Sequence, residues 1–426
     1  MRRVVGCALA VALLASALLA PSAGAKVRYP RLDPSFGSGG YVAVPGLPPA
    51  AGGEPTTLIG FGATRSGAAY ATEARPVPNT CRDRCLVDAL LVRVNANGGV
   101  ASTFGGAGQV AVANGVEVLA APIADLEGRA IVATLNGTTV TVRRYLADGS
   151  VDSSFGSGGA TSIQLGGGNP RYRELQLALD GEGRIVVAAN APQWFKSEPA
   201  ASGALARLLP EGALDGGFGS GGVVQLAALV PSSGITFGSN DAIYFGGSVE
   251  GKPYLNRVSA KGRIDTEFDA RAGRTLANVN ARGALELRSM VLVPRPGGLI
   301  DLFGGDGMLR LKSNGKAEPK FGEGGVKLLG WSIIAATLVG HGKVLGLGNS
   351  SEGVSLIRLK PSGKPDRSFG SEGAALIEGV GEGEGLTLAW LSGRRAMVLD
   401  LGRTWCRYEC PSKPSLVRYR IGPKQG

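Results

Sequence analysis

The stretch Val140-Thr-Val-Arg-Arg144-Tyr-Leu-Ala-Asp148-Gly149-Ser-Val-Asp152-Ser-Ser-Phe155-Gly156-Ser-Gly-Gly159 carries an arginine on an apolar run, then a turn glycine, an acid and a phenylalanine at fixed offsets. The eleven-residue Arg-to-Phe interval recurs as Arg93/Phe104, Arg144/Phe155, Arg207/Phe218, Arg257/Phe268, Arg310/Phe321 and Arg358/Phe369, leaving Phe36 and Arg418 unpaired at opposite ends. An interval held over this length means one structural unit repeated, and units of about 50 residues are typical of propellers and solenoids.

Each unit reads as four short strands. The apolar run around the arginine is rich in Val and Leu and bounded by a turn, a strand signature. The glycines five residues after each arginine (Gly98, Gly149, Gly212, Gly262, Gly315 and Gly363) suit a tight turn that needs positive φ. An acid stands three residues before the phenylalanine as Asp33, Asp152, Asp215, Asp265, Glu318 and Asp366, with Ala101 as the exception. A short strand such as Val223-Val-Gln-Leu226 follows each Phe-Gly segment, and two more are joined by a polar turn, as in Leu177-Ala-Leu-Asp180-Gly-Glu-Gly183-Arg-Ile-Val-Val187. Labelled A to D, with the arginine on D, these strands are nearly continuous apolar runs suited to sheets covered on both faces. No segment beyond the leader shows a convincing helical period, so an all-β chain is expected.

Seven such units between Tyr41 and Ile421 average about 54 residues, a normal size for a four-stranded antiparallel propeller blade. The expected blades span residues 41–98, 110–149, 160–212, 223–262, 273–315, 326–363 and 374–421, within one domain covering 26–426. An open solenoid would need polar terminal caps, and none is present. The ends instead complement each other: Ser415-Leu-Val-Arg418 lacks its Asp-x-x-Phe segment, while Leu32-Asp33-Pro-Ser-Phe36 lacks a preceding arginine strand. Residues 31–40 are therefore expected to close a seven-bladed ring on the last blade.

The Leu-Asp-x-Ser-Phe-Gly-x-Gly-Gly segment after an arginine strand resembles the delta-sixty repeat, a β-propeller repeat of exported bacterial proteins, often from actinobacteria. The resemblance covers nearly all of the chain beyond the leader. It implies a propeller and brings no established activity, ligand or catalytic residue. Ala101, and Asp269 with Ala270 where glycine is expected, depart from the pattern, so the second and fifth junctions should be less regular.

Arg2 and Arg3, the apolar stretch from Val4 to Ala20 and Ala23-Gly24-Ala25 read as a cleaved signal peptide over residues 1–25. Cys7 precedes the apolar core and so does not make a lipidation box. A secreted or cell-surface location is expected, with no transmembrane segment in the mature chain. Loss of Arg2 and Arg3 takes the formal net charge from +11 to +9, which favours anionic partners such as wall polymers, acidic glycans or lipid headgroups. The basic residues are scattered, without the clustered stripe that nucleic acid requires. A monomer is expected.

The mature chain keeps Cys81/Cys85 and Cys406/Cys410, each pair with its first cysteine twelve residues before the repeat arginine. Local disulfides within each pair suit an oxidising compartment. Bridging between the two hairpins and a four-thiolate zinc site are the alternatives, the latter at a weak ligand spacing.

The repeated Arg, Asp and Phe read as structural, because a catalytic group is needed once and a packing group in every blade. Recognition is expected where repeats differ, in long C–D loops near 73–87, 190–203 and 403–414. Their binding candidates are Arg82, Arg84, Trp194, Phe195, Lys196, Trp405, Arg407 and Tyr408, since aromatic and arginine side chains are typical contact anchors. His341, the only histidine, lies in a Gly-His-Gly turn, which removes Ser/His/Asp, histidine-metal and paired-histidine chemistry. No catalytic or metal-ligating residue and no cofactor is predicted. A central-channel cation held by carbonyls or acids remains compatible with the fold. Glu382/Glu384 and Asp180/Glu182 are turn acids, expected to face solvent. The leading expectation is a non-enzymatic binding or scaffold protein that uses the C–D loop face for a wall polymer, glycan or protein. The alternative is a carbohydrate-active hydrolase or lyase with acids in the central channel.

Overall fold

A computed structural model describes residues 30–44, 57–78, 80, 85–166, 174–191, 202–227, 234–249, 251–287, 290–350, 352–377, 386–391, 394–400 and 415–422. Seven antiparallel sheets follow one another along the chain. Blade 1 comprises Thr57–Ala63, Ala69–Pro76, Val87–Val94 and Gln109–Val116, and blade 3 comprises Glu174–Leu179, Ile185–Ala191, Ser202–Leu208 and Val223–Ala227. Blades 2, 5 and 6 repeat this order, with the arginine on the third strand. Thus the strand after each Phe-Gly-x-Gly-Gly segment pairs with the arginine strand before it, as Ala160–Gln164 does with Thr139–Tyr145. The blades therefore begin one strand later than the limits expected from the repeat. The reason is local: Tyr145 bridges to Val151 and Arg144 N–H donates to Gly159 O, so the junction turns the chain straight back along its own strand.

The apolar alternation of the strands fills the spaces between blades. Every adjacent pair of blades shares an apolar cluster, and each cluster holds one repeat phenylalanine. Phe155, for example, lies among Ile131 and Val142 of blade 2 and Ile185 and Val187 of blade 3. Phe36 lies among Leu58 and Val94 of blade 1 and Met397 and Leu416 of blade 7, so the sheets form a closed ring. All seven phenylalanines are buried. Burying one such side chain contributes about 1.5–3 kcal/mol relative to leaving it exposed.

The ring closes by strand addition. In blade 7, Ser415–Arg420 pairs with Arg31–Leu32 and with Tyr41–Ala43 from the beginning of the chain. Asp33 N–H donates to Arg418 O, and the Arg418 side chain is ion-paired with Asp33, both about 1% exposed.

One element departs from the all-strand expectation. Blade 4 has three strands, Thr236–Phe237, Ile243–Val249 and Lys252–Val258, and its fourth position is taken by the helix α1, Thr266–Ala281. Asp265 caps this helix by accepting from Phe268 N–H at 3.0 Å. Other junctions turn through glycines of positive φ after the phenylalanine, such as Gly156, Gly158 and Gly159. Here Asp269-Ala270-Arg271-Ala272 supplies no such glycine, and the capped turn continues as helix. Its buried face, Phe268, Ala272, Leu276 and Val279, has the spacing of helical turns.

Candidate functional site

The repeated side chains form one contact set at most junctions. The guanidinium of Arg144 lies over the Phe155 ring at 4.7 Å, its Nε donates to Asp152 at 2.7 Å, and its Nη1 donates to Pro210 O in the turn of the next blade at 2.7 Å. Arg207, Arg257, Arg310, Arg358 and Arg418 stack over Phe218, Phe268, Phe321, Phe369 and Phe36 at 4.1–4.6 Å. A guanidinium is suited to this triple use because it is planar, always charged and rich in donors. The turn glycine belongs to the same set. A Cβ on Gly149, whose φ is 89°, would fall 2.7 Å from the Gly105 nitrogen of the preceding blade. These residues therefore hold blade to blade.

Two blades break the set and a third loosens it. Blade 1 departs from the set at the junction where Ala101 stands for the acid. The Arg93 guanidinium lies over the ring of Tyr70, its register partner on the neighbouring strand, at 5.8 Å. Phe104 stays fully buried in the junction, but its ring meets Tyr70 at 5.9 Å instead of carrying the arginine. The physical reason is Ala101: with no carboxylate there to draw Arg93 across Phe104, the buried Arg93 Nε has no hydrogen-bond partner, while Nη1 keeps its bond to Ala147 O at 2.6 Å. In blade 5 the acid moves from the junction to the neighbouring strand, where Asp301 accepts from Arg310 Nε at 2.6 Å and also from Arg295. In blade 4 the ion pair of Arg257 and Asp265 is more open than its counterparts, with side chains 22% and 32% exposed. Burial works against the charge of Arg257, but Tyr244 and Asp265 hold its pKa above the usual arginine value.

A basic cleft of about 710 Å3 opens between blades 5 and 6. Because Asp301 satisfies Arg310, Glu318 stays at the cleft wall with Lys320, Lys327 and Lys364. Lys327 occupies the strand position held by Val42, Val110, Thr161, Val224 and Ala375 in other blades. Its ammonium lies 4.9 Å from the Phe321 ring centre and donates to Ser362 O at 2.7 Å. Burial, Lys364 and Arg310 together lower its pKa. A group bearing negative charge would relieve this crowding of cations.

The first strands of neighbouring blades approach one another around the axis, as Ser332–Val339 does with Leu386–Leu391, which in turn meets Thr57–Ala63. Partly exposed side chains on them include Phe61, Leu177, Phe237, Leu338 and Trp390. Among the described residues of these strands the one carboxylate is Glu174, which accepts from Asn190 at 2.9 Å. No group of three His, Cys, Asp or Glu suited to a metal occurs among the described residues.

The expected loop-face residues Arg82, Arg84, Trp194, Phe195, Lys196, Trp405, Arg407 and Tyr408 lie outside the described residues, as do Cys81, Cys406, Cys410, Glu382, Glu384 and the leader. His341 is exposed in its hairpin turn at φ 61°. Asp180 corrects the expectation of a solvated turn acid: its side chain is 1% exposed beneath Arg184, which it binds at 2.6 Å, while Glu182 is exposed. Arg184 also reaches Asp241 of blade 4 at 2.7 Å, so this turn joins two blades. The sequence signal of the Lys327 cleft is a lysine at a position otherwise held by Val, Thr or Ala, and its meaning depends on Ser362 and Lys364 of the next blade.

Residues 132–155 match the family described as domain of unknown function (DUF5122) beta-propeller. No curated protein matches the chain. Among solved structures, a protein of unknown function from Dyadobacter fermentans DSM 18053 aligns at 10% identity over 92% of this chain and 100% of that one, with TM-score 0.45. Prolyl oligopeptidase B from Galerina marginata aligns at 9% identity over 86% of this chain and 49% of that one, with TM-score 0.47. The PQQ-bound aldose sugar dehydrogenase from Streptomyces coelicolor aligns at 16% identity over 71% of this chain and 92% of that one, with TM-score 0.38. Such distances convey no activity to this chain. Among the described residues, no helix is long and apolar enough to cross a membrane.

Proposed function

We propose that this chain is an exported, non-catalytic β-propeller binding module whose ligand is an anionic cell-wall polymer or glycan. The observation that supports this reading is the cleft between blades 5 and 6, where Arg310, Lys320, Lys327 and Lys364 face a single acid, Glu318. Lys327 is the informative member, since an ammonium between blades at a normally apolar position costs desolvation that an anionic ligand would repay. The net charge of +9 left after loss of Arg2 and Arg3 acts in the same direction by drawing polyanions to the surface. The loop residues Trp194 and Trp405 are proposed as a second contact surface. In an extracellular setting the cysteines are proposed to form the local bridges 81–85 and 406–410, in keeping with a disulfide at Cys85.

The test is binding of the mature protein to polygalacturonate and to teichoic acid at two salt concentrations. The variants are Lys327→Gln/Lys364→Gln and Trp194→Ala/Trp405→Ala. Salt-sensitive binding that the lysine variant weakens at least tenfold is the expected result. Binding unaffected by the lysine change but lost with the tryptophans would overturn the cleft in favour of the loop face, and hydrolysis of either polymer would overturn the non-catalytic reading.

A further inference from the structure

In several blades the junction acid is held by two cations. Asp366 receives Arg358 at 2.9 Å and Lys343 at 2.8 Å; Asp152 receives Arg144 at 2.7 Å and Arg129 at 3.4 Å; Asp33 receives Arg418 at 3.0 Å and Arg420 at 2.9 Å. In blades 2 and 6 the second cation comes from the position two residues before the register partner of the arginine, where Arg129 and Lys343 stand; in blade 3 Arg184 stands there but binds Asp180 and Asp241, and Asp215 keeps Arg207. In blade 4 that register partner is Tyr244, so the position is Ala242. The alternative source used in blade 7, Arg420, corresponds to Ser259. Both truncations leave space: a cleft of about 520 Å3 lies here, lined by Asn240, Tyr244, Arg257, Ser259, Asp265 and Ser313. Where a second cation is present, Asp33, Asp152 and Asp366 are 1–7% exposed at the side chain, whereas Asp265 is 32% exposed.

The geometry points to this cleft as a binding site for an alkylguanidinium or alkylammonium group, which takes the place on Asp265 that an internal arginine or lysine fills in other blades. Arg257 and the Phe268 N–H occupy part of the carboxylate, while Asp152 and Asp366, which accept two cations, take Ser154 and Ser368 as well. Asp241, bound to Arg184 across the blade boundary, does not line the cleft, so Asp265 is the acid that faces an entering cation. The neighbouring turns of both blades, Ser259-Ala260 and Gly297-Gly298, line the cleft with small residues. The site lies one blade junction away from the basic cleft and does not depend on it. Its charge preference is opposite.

Nuclear magnetic resonance titrations of the full mature chain test the assignment, with arginine amide, butylamine, neutral butanol and the peptide Gly-Gly-Arg-Gly-Gly as probes. Saturable shifts confined to blades 4 and 5 are expected with the cations and not with butanol. Ala242→Arg, which fills the slot from within, should weaken the response at least tenfold while preserving the fold. Asp265→Asn should do the same. Response to both arginine amide and peptide would identify a general guanidinium slot; response to the peptide alone would assign it to a protein partner. No saturable response to any cation, or an equal response in the Ala242→Arg variant, would overturn it.

Discussion

Arg257 donates its backbone N–H to the side chain of Asp269 at 2.8 Å, whereas the six other repeat arginines donate theirs to a glycine carbonyl, namely that of Gly108, Gly159, Gly222, Gly325, Gly373 or Gly40. A carboxylate thus replaces a strand carbonyl where helix α1 has replaced the strand. The substitution explains why an acid stands at the position of the expected glycine. It also keeps a partly buried N–H from being stranded.

Asp269 carries a pH dependence with it. Burial raises its pKa from 3.8 to about 6, against the lowering effect of the Arg257 N–H. A carboxyl raised by folding contributes stability that is fully present below about pH 4 and is lost as pH climbs through about 6. Asp366 acts in the opposite sense. Although burial raises its pKa, Lys343, Ser368 and Arg358 hold it well below the usual range, so its contribution is present above about pH 4 and lost on acidification. Melting temperatures of Asp269→Asn between pH 4 and 7 should fall less steeply with rising pH than those of the natural chain. Asp269→Ala should cost about 1–3 kcal/mol by leaving Arg257 N–H unsatisfied.

Ala101 offers the converse experiment. Arg93 Nε is buried without an acceptor at the junction where Ala101 replaces the repeat acid, and its guanidinium rests on Tyr70 in place of Phe104. Ala101→Asp should supply the missing charge-assisted bond and stabilise blade 1 by about 1.5–3 kcal/mol. Chemical denaturation measures it, and destabilisation would show that the orphaned nitrogen is satisfied by other means.

Phe218 is fully buried between blades 3 and 4 beneath Arg207, whose guanidinium is 4.4 Å from its ring. Truncation to alanine removes the ring and leaves a cavity in a rigid interface, so a loss of roughly 3–5 kcal/mol is expected on equilibrium unfolding.

The clasp at the ring closure should be equally sensitive. Asp33→Ala leaves the Arg418 guanidinium, 1% exposed, without its carboxylate, and breaking such a pair from one side costs about 3–5 kcal/mol. Deletion of residues 26–43 removes both closing strands as well, and calorimetry should show a larger loss than the point variant. An unchanged melt would refute closure by strand addition.

The bridges proposed for the cysteines are open to non-reducing peptide mapping. Linked 81–85 and 406–410 peptides are expected, and a peptide joining Cys81 to Cys410 would refute the local arrangement.

Much of the architecture was legible because a propeller blade repeats its contacts at fixed chain separation. Asp152 and Phe155 serve Arg144 from eight and eleven residues away, so a single sequence window contains the whole set. The same window shows the loss of the acid at Ala101 but not its consequence, that Arg93 rests on Tyr70, a residue of another strand. Blade phase was not legible in this way: the strand Ala160–Gln164 is adjacent in sequence to segments on both sides, and hydrogen bonding to Thr139–Tyr145 decides its membership. The helix had a readable signature in the Asp265 cap and the Phe268, Ala272, Leu276 and Val279 spacing, masked by its small and charged residues. The candidate sites were least legible. Lys327 and Ala242 differ from their counterparts by single residues, and their meaning depends on neighbours from another strand or blade.

By itself the sequence determined the seven-unit ring, its Arg, Asp and Phe junctions and the complementary ends, since each rests on local spacing and turn chemistry. Only the tertiary structure decided where the blades divide, that Asp301 relieves Glu318 of its partner, and that Ala242 leaves Asp265 open. These depend on register and on packing between strands tens of residues apart, where a missing side chain becomes a cleft only when the surrounding blades are held rigidly in place.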